Sequence, residues 1–141
     1  MRKVVVDEFL TLDGVAQAPG GEEEDQDGGF AHGGWQFRGP TSNEVSQWAL
    51  GNIREAGGFL LGRRTWQIFA GYWPNAGEEL QDIAAPLNEK PKHVVTRTLT
   101  EPLGWENSRV VPDLEAVAAL KQEDGGDLHT IGSTGLVRAL F

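Results

Sequence analysis

Cysteine is absent from the 141-residue sequence, and basic residues are few, twelve against twenty-one acidic ones. Without cysteine, neither disulfides nor thiolate metal sites can form. The formal net charge of −9 argues against a general nucleic-acid surface, because such a surface needs a basic stripe. A single phosphorylated cofactor needs only a local cluster of donors, so this kind of ligand stays open.

Long apolar runs and clustered histidines are also missing. The first apolar run ends at Asp7-Glu8, too early for a signal peptide, and no later run approaches membrane-spanning length. His32, His93 and His129 lie far apart and match no metal-ligand spacing. We therefore expect a cytoplasmic protein without a membrane span or a metal. His129 alternates within an apolar strand and is predicted to be a hydrogen-bonded core residue.

The rest of the composition is typical of a globular protein, with 39% hydrophobic and 23% charged residues. This length fits one domain, which we assign to residues 1–141. Segments with helical spacing separate five short apolar segments that predict strands. The five are Val4-Val5-Val6, Phe59-Leu60-Leu61, His93-Val94-Val95-Thr96, Arg109-Val110-Val111 and Leu128-His129-Thr130-Ile131. This alternation predicts an α/β domain with a largely parallel sheet.

Residues 16–39 form a long segment without apolar periodicity. They are rich in glycine and acid, and Glu22-Glu23-Glu24-Asp25 is predicted to be a solvated tip. We predict a flexible loop, since unstructured loops of this length are usually functional lids or disordered segments. Trp35, beside Gly33-Gly34, is a candidate to cover a bound substrate.

The segment after this loop predicts a helix. Thr41 and Glu44 have the spacing of a capping box. Behind them Val45, Trp48 and Ile53 share one helical face, which predicts that Trp48 belongs to the core.

The junction Gly62-Arg63-Arg64-Thr65 suits a phosphate-bearing ligand. In parallel sheets ligands bind outside the carboxyl ends of strands, where helix N-termini present N–H groups. The glycine lets the backbone approach a ligand, and the arginines offer forked, charged donors. A solvated arginine pair is the alternative, although positive charge at a helix start is mildly unfavourable and so favours a bound anion.

A second junction, Gly132-Ser133-Thr134-Gly135, leaves backbone N–H groups free to hold a pyrophosphate. An ordinary turn with a helix cap explains it equally well. Thr96-Arg97, at the end of the third strand, either adds a phosphate contact or is simply exposed. Asp13 either binds substrate or forms the turn that Asp-Gly pairs favour.

Taken in order, these motifs resemble the dihydrofolate-reductase-like superfamily, specifically the reductase domain of the riboflavin-biosynthesis deaminase–reductase. The resemblance runs from Arg2 to Phe141. It is carried by Thr11-Leu12-Asp13-Gly14-Val15, Leu60-Leu61-Gly62-Arg63-Arg64-Thr65-Trp66, Lys92-His93-Val94-Val95-Thr96 and Gly132-Ser133-Thr134-Gly135-Leu136-Val137. It implies a three-layer αβα fold with helices on both faces of a mainly parallel sheet.

The resemblance also implies an NADP(H) site. Arg63, Arg64, Thr65, Thr96 and Arg97 would face the adenosine 2′-phosphate, and residues 132–137 the pyrophosphate and nicotinamide. The loop from Asp13 would cover nicotinamide and substrate. The implied cofactor-binding residues are Val15, Gly62, Arg63, Arg64, Thr65, Thr96, Arg97, Gly132, Ser133, Thr134, Gly135 and Leu136. Asp13 and Glu44 are the catalytic candidates, with helix capping as the alternative role of Glu44.

The activity implied is NADPH-dependent reduction of a small heterocyclic or sugar-derived substrate, such as 5-amino-6-(5-phosphoribosylamino)uracil or dihydrofolate. Family members continue past the last helix into further strands, so we expect a chain that is incomplete at its C-terminus. The absent strands favour an alternative, a non-catalytic nucleotide-binding protein that retains an NADP(H) site. Homodimers are common among such proteins.

Overall fold

One parallel sheet forms the centre of the molecule. The computed structural model describes residues 1–40 and 42–141. The strands of this sheet are β1 (Val4–Asp7), β2 (Gly58–Gly62), β3 (Lys92–Val95), β4 (Ser108–Val111) and β5 (Leu128–Ile131). Their spatial order is β1-β5-β2-β3-β4, and every neighbouring pair is parallel. The five predicted strands are confirmed.

Helices cover both faces of this sheet. They are α1 (Asn43–Glu55), α2 (Arg63–Tyr72), α3 (Gln81–Glu89), α4 (Leu114–Leu120) and α5 (Thr134–Leu140). Apolar side chains of α1, α2 and α3 pack in one core cluster, and those of α4 and α5 pack in another. The predicted three-layer α/β architecture is therefore confirmed. Among the described residues, no helix combines the length and the apolar character that crossing a membrane would require.

Strand β2 shows why the sheet separates two cores. Phe59 and Leu61 point into the cluster beneath α1, α2 and α3, while Leu60 points into the cluster beneath α4 and α5. All three side chains are fully buried. A strand with helices on both sides needs apolar residues at successive positions, and this explains the unbroken run.

The start of α1 differs in part from the sequence prediction. Thr41, the first residue of the predicted capping box, lies outside the described residues. The Ser42 hydroxyl caps the helix, accepting a hydrogen bond from the Val45 N–H at 3.2 Å. Glu44 is exposed in the first turn, where a carboxylate interacts favourably with the helix dipole.

The prediction that Trp48 belongs to the core is wrong. Trp48 is 57% exposed and Val45 49% exposed. The first half of α1 is exposed on every side, whereas Ile53, nearer the end of the helix, packs against the core. Helical spacing identifies an apolar face, but it does not tell which part of that face another element covers.

A buried lysine, Lys92, secures the end of α3 on the α1 side of the sheet. Lys92 donates from Nζ to the carbonyl oxygens of Leu87, Asn88 and Lys90, at 2.7–3.0 Å, at the end of α3. The same ammonium lies 4.4 Å from the centre of the Trp105 ring. Burial lowers the pKa of Lys92 to about 8. Lysine at this position satisfies helix carbonyls that would otherwise be buried without donors.

Replacing Lys92 with methionine keeps the length and apolar stem of the side chain but removes the donor. We expect Lys92→Met to lower the free energy of unfolding by about 2–3 kcal/mol, because buried carbonyls lose their hydrogen bonds. Urea denaturation measures the difference. Lys3→Met, at an exposed position, is the matched control, and equal effects of the two substitutions would contradict this account.

Candidate active site

A crevice forms where two neighbouring strands lead into helices on opposite faces of the sheet. β2 and β5 are adjacent in the sheet, and β2 leads into α2 on one face while β5 leads into α5 on the other. In parallel α/β sheets this arrangement opens a crevice at the carboxyl ends of the strands, which is where ligands bind.

The crevice is a cleft of about 710 Å³, within the usual size range of small-molecule sites. It brings the two glycine-containing junctions together. Of the predicted cofactor-binding residues, those that line it are Gly62, Arg63, Arg64, Thr65, Gly132, Ser133, Thr134, Gly135 and Leu136. Glu8, Phe9, Ile68, Phe69, Ile131 and parts of the loop 16–28 complete the walls.

A direct hydrogen bond connects the junctions. The Gly62 N–H donates to the Ser133 hydroxyl oxygen at 3.0 Å. Gly132 and Ser133 have positive φ angles of 62° and 61°. A side chain at Gly132 would add strain at this φ angle and would also contact Thr65. The positive φ angle thus explains the glycine directly after β5.

The N-terminus of α2 presents positive charge to the cleft. Gly62 is the N-cap and has no side chain to satisfy the first N–H groups of the helix. Arg63 and Arg64 follow in the first turn, and that turn contains no acidic residue. Together these features favour an anion at the start of α2.

Arg64 already contacts two carboxylates from the long loop. Its guanidinium lies 2.8 Å from an oxygen of Asp25 and 2.9 Å from an oxygen of Asp27. Burial raises the pKa of Asp25, but hydrogen bonds and charge from Arg64 outweigh this effect and leave that pKa below its usual value. The predicted solvated tip therefore holds only in part, because Glu24 and Asp25 are partly buried and line the cleft.

Asp13, Val15 and Trp35 lie outside the cleft lining. The Thr11 hydroxyl donates to Asp13 at 2.6 Å, and the Val15 N–H donates back to that hydroxyl at 2.8 Å, so these residues form a tight turn. The hydrogen bond from Thr11 lowers the pKa of the exposed Asp13. The Trp35 indole donates to the carbonyl of Gln17 at 2.8 Å. The cofactor contact of Val15, the catalytic and substrate roles of Asp13 and the substrate contact of Trp35 stay predictions.

Thr96, Arg97 and Glu44 are not brought to the cleft either. The Thr96 hydroxyl accepts hydrogen bonds from the N–H groups of Thr98 and Leu99, which fix the turn after β3. Arg97 and Glu44 are exposed. Contacts of Thr96 and Arg97 with a phosphate, and a catalytic role of Glu44, stay predictions.

Sequence reasoning missed the carboxyl end of β1. Asp7 is buried, and its carboxylate accepts hydrogen bonds from the Asn52 amide at 2.7 Å and pairs with His129 Nδ1 at 2.8 Å. His129 is therefore the hydrogen-bonded core residue that the sequence predicts. The next residue, Glu8, lines the cleft and has a buried Oε1 without a hydrogen-bond partner among the described residues. Applying the rule of strand carboxyl ends to β1 would have singled it out.

The environment of Glu8 favours its neutral form. Burial and, to a smaller extent, the negative charge of Asp7 together raise the pKa of Glu8 to about 7. Asp25, which lines the same cleft, has its pKa shifted in the opposite direction.

The fold and its crevice define the class, a three-layer parallel α/β domain with a ligand cleft at the switch point of its sheet. The chain matches the family model of the RibD C-terminal domain over residues 2–141, and it belongs to that family. This family comprises the reductase domain of the riboflavin-biosynthesis deaminase–reductase, has the dihydrofolate-reductase-like fold and generally uses NADPH on small molecules. No curated protein matches the chain. The resemblance and fold class predicted from the sequence are thus confirmed, whereas a homodimer and a cytoplasmic location stay predictions.

The raised pKa of Glu8 predicts that the stability of the protein depends on pH. The native state favours the protonated carboxyl of Glu8. The stability that the folded state gains from this preference is complete below pH 4.5 and is lost as the pH rises through about 7. Glutamine stays neutral throughout. We expect Glu8→Gln to gain stability relative to the wild type as the pH rises from 5 to 8, measured by urea denaturation at each pH.

Glu23→Gln is the control for this series, because Glu23 is exposed on the loop. Its stability difference from the wild type should change little over the same pH range. A Glu8→Gln difference that is constant with pH would show that Glu8 titrates alike in the folded and unfolded states.

Proposed function

We propose that this chain binds NADPH in the cleft between α2 and α5 and reduces a C=O or C=N bond of a small heterocyclic or sugar-derived substrate. Substrates of the 5-amino-6-(5-phosphoribosylamino)uracil or dihydrofolate type fit this class. The observation that carries the proposal is the convergence of the two junctions, residues 62–65 and 132–136, in one cleft of a RibD C-terminal domain.

The residues present fit a dinucleotide. The Gly62 and Gly132 backbones line the cleft without side chains, so a pyrophosphate can approach the main chain closely. The Thr65 and Ser133 hydroxyls lie at the same walls. We infer that these residues hold the pyrophosphate, while Ile131 and Leu136 provide apolar surface to a ring.

The 2′-phosphate is assigned to the arginines at the start of α2. Arg63 is exposed and forms no ion pair within residues 1–40 and 42–141, so it is available to an incoming phosphate. Arg64 is engaged by Asp25 and Asp27. We infer that the phosphate replaces these carboxylates, since both are anions that bind a guanidinium through the same donors. NADPH binding and the loop contacts of Arg64 then compete.

The bound cofactor supplies a hydride to the electrophilic carbon of the substrate. The chain would contribute orientation, since residues of α2 and of the β5–α5 turn line the cleft and would hold the cofactor. The loop 16–28 forms the third wall and limits the access of water to the cleft. Reduction also needs a proton for the oxygen or nitrogen atom of the reacting bond.

Titration of the purified chain with NADPH and with NADH, followed by tryptophan fluorescence, tests the cofactor. We expect saturable binding with NADPH preferred, because only NADPH carries the 2′-phosphate. Circular dichroism establishes that the protein is folded. A folded protein that binds neither dinucleotide would refute the proposal, and binding without reduction of either substrate type would favour the non-catalytic nucleotide-binding protein.

Substitutions at the arginine–aspartate contact test the assignment of the 2′-phosphate. Arg64→Ala should weaken NADPH binding by about tenfold, the loss of one charge-assisted hydrogen bond, and NADH binding much less. The double substitution Asp25→Asn, Asp27→Asn should instead strengthen NADPH binding, because it frees Arg64.

Arg138→Ala is the matched control for these variants, since Arg138 is exposed near the end of α5 and does not line the cleft. It removes the same charge without removing a cofactor contact. Equal losses for NADPH and NADH in Arg64→Ala would show that the 2′-phosphate binds elsewhere.

A further inference from the structure

Four carboxyl side chains line the cleft, and three of them have partners. Glu24 accepts hydrogen bonds from the N–H groups of Gly20 and Gly21, at 2.7 and 3.0 Å. Asp25 and Asp27 pair with Arg64. Hydrogen bonds and ion pairs of this kind stabilise carboxylates in their charged form, which has no proton to give.

Glu8 is the fourth, and its position is different. It follows β1 directly, and its Oε1 is buried without a hydrogen-bond partner among the described residues. Glu8 lines both the cleft and a small apolar pocket of about 30 Å³ beneath α1, where Trp48 and Asn52 are also found. A pocket of that volume accommodates about one water molecule. A substrate ring must therefore lie on the cleft side of Glu8.

We propose that Glu8 is the catalytic residue that donates the proton during reduction. This inference rests on the proposed reductase function. The hydride forms the new C–H bond, and the electron pair of the C=O or C=N π bond moves to the oxygen or nitrogen. That atom takes the proton from the Glu8 carboxyl, which becomes a carboxylate. Solvent then returns a proton to Glu8, so the cycle consumes one NADPH and one proton.

The neighbours of Glu8 favour its protonated form, which can donate a proton. Burial and the adjacent Asp7 raise the pKa of Glu8 to about 7, so a large fraction is protonated at neutral pH. Asp7 is held in place by Asn52 and His129. The other residues of the small pocket, on α1 and β5, are uncharged. Charged groups elsewhere around the cleft are Arg63, Arg64, Glu24, Asp25 and Asp27.

The test compares Glu8→Gln with the wild type in single-turnover reduction at saturating NADPH. The substrates are 5-amino-6-(5-phosphoribosylamino)uracil and dihydrofolate, each assayed from pH 5.5 to 8.5. We expect the wild-type rate to fall as the pH rises through about 7. The variant should be slower by about 100-fold or more and lose this pH dependence. Glu8→Asp, which keeps a carboxyl group, should recover part of the rate.

NADPH binding separates this inference from the proposed function. Glu8→Gln should bind NADPH as the wild type does, and Glu23→Gln should match the wild type in both rate and pH profile. A wild-type chain that reduces a substrate while Glu8→Gln keeps its rate and pH profile overturns the role of Glu8 and leaves the reductase intact. A wild-type chain that binds NADPH but reduces neither substrate refutes the reductase proposal, and the role of Glu8 with it.

Discussion

The insertion of β5 between β1 and β2 is the constraint from which the site follows. In a parallel sheet all carboxyl ends lie at one edge, so this strand order brings together Glu8 after β1, Gly62 at the end of β2 and Gly132 after β5. These residues are far apart in sequence. The hydrogen bond from Gly62 to Ser133 fixes the relation of the two turns. Without this pairing, neither junction would face the other.

Features that depend on residues close together in the chain could be predicted from the sequence. The five strands and the two glycine junctions follow from apolar runs, small residues and charged side chains that are close in the chain. The rule of strand carboxyl ends would have pointed to Glu8, but neither the burial of its carboxyl nor the contacts of Asp25 could be predicted in this way. The pKa of Glu8 is raised because the fold partly buries its carboxyl beside residues of α1 and β5. Asp25 contacts Arg64, which lies 39 positions away in the sequence. Such contacts arise from strand order and loop path, which no local pattern encodes.

The catalytic candidates predicted from the sequence illustrate a related limit, because position along the chain does not reveal the environment of a carboxyl group in the fold. Asp13 is a candidate because it follows the first strand, and Glu44 because the resemblance implies a carboxylate on the helix after the loop. Asp13 is hydrogen-bonded within its own turn and Glu44 is exposed, and their catalytic roles stay predictions. A short-range turn or a helix start suffices to explain an acidic residue at either position. A carboxyl suited to proton transfer needs partial burial and a missing partner, properties that only the assembled fold creates.

The arrangement of charged groups in the cleft is consistent with the proposed reduction. In the proposed reaction, bound NADPH would supply the hydride, and giving up a proton would turn Glu8 into a carboxylate. The carboxylate would form within a partly buried cleft, where its interaction with a positive charge is stronger than in water. Arg63 and Arg64 lie at the start of α2, where the proposed function assigns them to phosphate, and Glu8 lines the same cleft. In this proposal an acidic chain would bind an anionic cofactor because its few basic groups contact the phosphates, while the acidic Glu8 serves the reaction.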